Sequence, residues 1–183
     1  MDFTDKDTMP TQAERRREVW KLASELCHTW FDGDGNWTNV AGWTDRHVKW
    51  EDVQTRTIVW LCFGLLPGSE ADVRLANAIL ERLEFHRHVP ARSEVEVASV
   101  FDIFVTNHSV HLLNLHAEKL TAAAREKLEG WARAGLADYA GNRQSDYQFH
   151  GYNDNMPAKA TLGLVLGGEY FGDEAAVAHG VWN

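Results

Sequence analysis

Ile58-Val59-Trp60-Leu61-Cys62-Phe63-Gly64-Leu65-Leu66 runs straight into Pro67-Gly68-Ser69-Glu70. The apolar run leaves little polar face, so the helix it predicts, from about Val53 to Leu66, should be buried all round. Pro and Gly stop it, and Ser69 then caps a helix of different character. In that second helix Val73, Ala76, Leu80 and Leu83 make one apolar stripe, with Arg74, Glu81 and Arg82 opposite. An all-buried helix followed after a three-residue turn by a half-buried one is an inner and outer pair.

The same alternation extends in both directions. Upstream, Thr11-Gln12-Ala13-Glu14 is a capping-box pattern, opening a helix with Val19, Trp20, Leu22, Ala23, Leu26, Cys27 and Trp30 on one face. Downstream, Ser93 opens a long apolar segment through Val97, Val100, Phe104, Leu112 and Leu115. Thr121 caps an amphipathic helix carrying Ala124, Leu128, Trp131 and Ala132 inward. Met156–Phe171 is apolar again, with Pro157 in its first turn, and Asp173 caps a last segment ending at Asn183. No stretch alternates convincingly with period two, although Val95–Val105 is β-branched. The expected fold is all-α.

Connections alternate too. Phe31–Asp52, Phe85–Ser93 and Asp138–Asn155 are long, whereas Pro67–Ser69, His116–Thr121 and Gly172–Asp173 are short. In successive antiparallel hairpins each kind of connection gathers at one end, so the long ones should share a face. Long connections without structure of their own are functional or disordered, and these hold too many aromatics for disorder.

At 183 residues, 44% hydrophobic and 25% charged, the chain suits a single globular domain. A formal charge of -9 argues against general nucleic-acid binding. No apolar run reaches membrane-spanning length. The first residues, Met1-Asp2-Phe3-Thr4-Asp5-Lys6-Asp7, lack the apolar core of a secretory signal, which leaves the compartment open. Cys27 and Cys62 each fall in an apolar helical pattern and read as reduced core residues.

Inner apolar helices, outer amphipathic ones and a single elaborated face resemble an (α/α) toroid, the barrel of helical hairpins in many carbohydrate-active enzymes. Within that group, Gly151-Tyr152-Asn153-Asp154-Asn155-Met156-Pro157 and the Gly/Ala/Leu helix after it are similar to the large bacterial polysaccharide-lyase and heparinase-like proteins. The architectural likeness spans Thr11–Asn183, and its motif-like part is Tyr147–Gly168. A complete toroid has more hairpins than this chain offers, and no C-cap signal follows Val181-Trp182-Asn183. The resemblance therefore implies the N-terminal portion of a larger toroid, or a domain completed by self-association. Val177, Val181 and Trp182 should then form an exposed apolar patch.

A uronate lyase must neutralise a C6 carboxylate, remove the C5 proton and protonate the departing O4. Tyr147, His150, Tyr152, Asn153 and Asp154 carry the side-chain types for those steps. In the same reading Asn155, Arg87 and Arg92 bind the uronate, and Trp37, Trp43 or Trp50 stacks on sugar rings. Each has a plainer alternative: Asn153 or Asp154 as helix cap, the tyrosines as packing, the tryptophans as loop anchors. A glycoside hydrolase pairing Asp146 or Asp154 with Asp102, at a carboxyl separation of roughly 5–9.5 Å, is the rival enzyme. A non-catalytic helical binding or scaffold domain is the other rival.

Asp32, Asp34 and Asn36 have oxygen-ligand spacing suited to Ca²⁺, but Trp37 and Trp43 stand where an EF-hand needs Gly and Glu. An Asx-rich turn is the expectation there, with no cofactor. His86 and His88 supply too few ligands for a metal. Asn107 and His111 lie one turn apart on one face. If their helix starts near Glu94, Asn107 is about 20 Å along its axis, far from the elaborated face, and reads as a core polar group.

Overall fold

The computed structural model describes residues 10–38, 55–84, 103–141 and 155–182. Among these the chain is all-α, as expected. Its helices are α1 (Gln12–Trp30), α2 (Thr55–Leu65), α3 (Glu70–Arg82), α4 (Ile103–His116), α5 (Ala122–Gly141), α6 (Asn155–Phe171) and α7 (Glu174–Trp182), with a 3₁₀ turn at Ala117–Lys119. One isolated antiparallel bridge joins Phe31 and Trp37.

The helix starts follow local chemistry. Thr11 and Glu14 form the reciprocal capping box, with the Glu14 amide donating to Thr11 Oγ1 at 3.2 Å and the Thr11 amide to Glu14 Oε2 at 2.7 Å. Ser69 and Asp72 repeat it on α3. Thr121 accepts from the Ala124 amide and Asp173 from that of Ala176. Helix ends are closed by lysines. Lys119 Nζ donates to the Leu66 carbonyl at 2.8 Å, and Lys127 Nζ to Leu83 at 3.1 Å. Each places a cation on the negative end of a helix dipole contributed by another part of the chain.

These contacts also order the helices. Asn107 Nδ2 donates to the Lys159 carbonyl and Asn114 Nδ2 to that of Leu166, so α4 and α6 run parallel. Lys119 on Leu66 brings the ends of α2 and α4 together. Phe63 of α2 lies between His108 and His116 of α4, each ring centroid 6.4 Å away. Helices α2, α4 and α6 therefore form one parallel layer. Buried Asn77 clamps α3 to the start of α5, donating to the Lys119 carbonyl and accepting from the Thr121 amide. His28 and Ser24 of α1 meet Asp72 of α3, and the chain past α1 follows α3 until Asp34 accepts from Arg82 Nε at 2.7 Å. Thus α1, α3 and α5 make a second layer, and the main core lies between the two.

The starts of α2, α4 and α6 share an end with the finish of α3, since Thr55 Oγ1 donates to the Glu84 carbonyl. The long connections at 31–52, 85–93 and 138–155 lead into those starts. Apart from residues 31–38, most of those connections lie outside the described residues.

Two expectations about burial are corrected. The apolar pattern puts Val19 and Leu22 on the inward face of α1, yet they are 47% and 55% exposed. Ala23 and Cys27 point to α2, Ser24 and His28 to α3, and a 100° turn per residue puts Val19 and Leu22 on the flank that neither neighbour covers. Helix α2 is not buried all round either, because Trp60 is exposed. Both cysteines are buried and free. Burial, with Asp72 nearby, pushes the Cys27 thiol up to about 12.

Asp72 holds the α1–α3 contact. Burial would raise its carboxyl, but hydrogen bonds from His28, from the Ser69 hydroxyl and amide, and from Ser24 outweigh that and lower it to about 2. A depressed carboxyl contributes stability that is complete above its unfolded value near 3.8 and is lost as pH falls towards 2. The difference corresponds to on the order of 2 kcal/mol. Acid titration of unfolding free energy should show this loss between those limits, and Asp72→Asn should flatten it; an unchanged acid limb in that variant would remove the assignment.

Candidate functional site

Tyr147, His150, Tyr152, Asn153, Asp154, Trp43, Trp50, Arg87 and Arg92 lie outside the described residues, as do Asp102, Asp146, His86 and His88. Asn155 opens α6. What the structure describes is the wall beside that opening.

Four residues make up that wall. Asn107 is buried in α4 and donates from Nδ2 to the Lys159 carbonyl at 3.0 Å. Lys159 is one turn into α6, and its ammonium lies 4.5 Å from the centroid of the Phe104 ring. His111, one turn beyond Asn107, is half-buried. Burial first, and the Lys159 charge second, lower its pKa below the ordinary imidazole value. Tyr139, near the end of α5, is buried against α6 where Gly163 leaves room for its ring, and Asn107 borders the same glycine.

The expectation that Asn107 lies far from the elaborated face is therefore corrected. That distance assumed a helix counted from Glu94, whereas α4 spans Ile103–His116 and Asn107 sits level with the first turns of α6. Sequence reading set Asn107 and His111 aside for that reason. It missed Lys159 altogether, since a lone Lys after Met156-Pro157-Ala158 signals only a helical first turn. The one available sign was its position: four residues after Asn155, it is one turn from the segment richest in polar and aromatic groups.

Chemically, the partly exposed groups of the wall are a cation, Lys159, and an imidazole, His111, biased towards its neutral form, while Asn107 and Tyr139 are buried behind them. A neutral imidazole accepts a proton, and an ammonium on a partly desolvated helix start attracts a carboxylate.

The first connection has a structural role in its described part. Asp32 Oδ1 accepts from the amides of Asp34 and Asn36, and both of its carboxylate oxygens accept from Asn36 Nδ2. Those bonds lower the Asp32 carboxyl, Asn36 contributing most. The Asx turn is thus what forms at Asp32, Asp34 and Asn36. Trp37 packs its ring 5.4 Å from Trp30 and 5.4 Å from Phe31, at the edge of the core. This packing anchors the connection to α1.

Among the described residues no helix is long and apolar enough to cross a membrane, and no three His, Cys, Asp or Glu side chains converge as metal ligands would. Comparison with known proteins gives no match: none to a protein-family model, none to a curated protein, and none to a solved structure.

Proposed function

We propose that the chain acts on a uronate-containing polysaccharide by β-elimination, at the end of the molecule where α4 and α6 begin. The observation that carries this reading is the placing of His111 within reach of the Lys159 charge beside the start of α6, where Asn107 bonds the Lys159 carbonyl. In the proposed reaction Lys159 neutralises the C6 carboxylate and so acidifies the C5 proton. Neutral His111 takes that proton, the C5 electron pair forms the C4–C5 double bond, and the C4–O4 bond breaks. The departing O4 receives a proton from a tyrosine, for which Tyr147 and Tyr152 in the segment before α6 are the proposed sources. His150, Asn153, Asp154 and Asn155, with Arg87 and Arg92, complete the proposed sugar contacts. Trp43 and Trp50 are the proposed stacking platforms, and the helical layers an arc of a toroid.

The test is a panel of uronate polysaccharides, followed by near-ultraviolet absorbance of the unsaturated product. His111→Ala should lower turnover by about 10²-fold or more with the helical circular dichroism unchanged. Since Lys159 helps hold the His111 pKa down, the acid limb of the kcat/KM profile should move to higher pH in Lys159→Met. New reducing ends without the absorbing product would favour the hydrolase, and neither product would favour a binding domain.

A further inference from the structure

Lys159 stands one turn into α6 without a counter-ion on its own helix. Its neighbours on the helix surface, three and four residues to either side, are Asn155, Met156, Leu162 and Gly163. The first turn of α6 holds no acidic residue, and among the described residues no carboxylate pairs with the Lys159 ammonium. A cation there also lies near the positive end of the α6 dipole. Something other than opposite charge must hold it.

Helix α4 ties this residue at both ends. Asn107 Nδ2 donates to its carbonyl at 3.0 Å, and its ammonium lies 4.5 Å from the centroid of the Phe104 ring. Phe104, Asn107 and His111 follow at steps of three and four along α4, one above another on a single face. The two ties are therefore about one turn apart, which draws the lysine stem towards the start of α4. Phe104 is itself braced, its ring meeting that of His108 at 6.5 Å and 59°. A ring face attracts a cation without neutralising it. A carboxylate in the same place would cancel the charge and occupy the donors that an incoming anion needs.

We propose that Phe104 is a positioning residue of this site: its ring face fixes the Lys159 ammonium beside the start of α6 and leaves its charge for the uronate carboxylate of the substrate. As a contribution to catalysis this rests on the β-elimination reading, whereas the holding of the ammonium does not. Phe104 touches no reacting atom and acts through Lys159. His111 reports on it, because burial and the Lys159 charge are what lower its pKa. The helices packed against α4 bring Lys159 from α6, buried Tyr139 from α5 and the uncharged Phe63 from α2, and α4 itself carries His108.

Nuclear magnetic resonance titration of the His111 imidazole in the full chain tests it, with the resonance assigned from His111→Ala. Phe104→Leu keeps an apolar side chain and removes the π face. The ammonium then moves out into water, and His111 should titrate at higher pH than in the unmodified chain. Phe104→Tyr keeps the face and should leave the titration where it was. In a Lys159→Met background Phe104→Leu should shift nothing further, since no cation remains to be released. A titration unmoved by Phe104→Leu would overturn the proposal. So would an equal shift in the Lys159→Met background, which would assign the effect to burial. On a uronate polysaccharide, kcat/KM should fall by roughly 3- to 10-fold in Phe104→Leu, the loss of a partly exposed cation–π contact, and recover in Phe104→Tyr. Turnover indifferent to Phe104→Leu would overturn the positioning role. The expected titrations without turnover of any uronate would defeat the elimination and leave the holding of the ammonium standing.

Discussion

Gly135→Ala should lower the melting temperature by roughly 6 °C, although alanine is the better helix former. Substituting Ala for Gly inside a helix ordinarily gains about 1 kcal/mol. Here α5 presses against α4, and a Cβ on residue 135 would fall on Thr106, within contact of Oγ1, 2.6 Å from Cγ2 and 2.8 Å from Cβ. Rotating the Thr106 side chain moves the first two atoms and not the third. The helices must separate, and overpacking of this kind costs about 3 kcal/mol, which outweighs the propensity gain. The net loss is about 2 kcal/mol, which for a chain of this length corresponds to roughly 6 °C. Thr106→Ala removes Oγ1 and Cγ2, so the double variant should recover more than about 1 kcal/mol relative to additivity. Strictly additive effects would mean that the two residues do not interfere.

Gly35→Ala should cost about 2–4 kcal/mol, the sum of strain at a positive φ and overpacking. Gly35 has φ +77°, and a Cβ there would stand 2.5 Å from the Ala78 carbonyl carbon and 2.7 Å from the Ile79 amide nitrogen. Those are backbone atoms in mid-α3 and cannot swing aside. The connection must lift, losing the Arg82–Asp34 hydrogen bond and exposing Trp37. Equilibrium denaturation followed by tryptophan emission should show the loss with a red-shifted native spectrum. Gly35→Asn separates the two causes, because Asn tolerates a left-handed backbone yet still carries a Cβ. It should be as damaging as Ala; a stable Asn variant would leave backbone strain as the sole cause.

What was legible in the sequence was local. Thr11, Ser69, Thr121 and Asp173 announce helix starts because a cap needs only the next few residues. The inner and outer alternation was legible for the same reason, since periodicity reports how many sides of a helix are covered. Which sides are covered is a tertiary fact. Val19 and Leu22 satisfy the apolar pattern of α1 as well as Ala23 and Cys27 do, yet only the second pair faces α2. At the candidate site the decisive quantity was the level of α4 relative to α6. Nothing within the Ile103–His116 sequence encodes that level, and Asn107 was misplaced with it. Lys159 was illegible because its neighbours His111 and Phe104 come from another helix.

Asn107 and Asn114 are seven residues apart, and so are their partners Lys159 and Leu166. A shared seven-residue step, about two turns of each helix, fixes the two parallel helices in register at two levels. Helices α4 and α6 therefore share a seam pinned at two points along its length. Such a seam resists axial slip, so a push on the first turn of α6 is transmitted to α4 as movement of one strut. Asn114→Leu should then change the dynamics around His111, three residues away on the same helix, without touching any group at the start of α6.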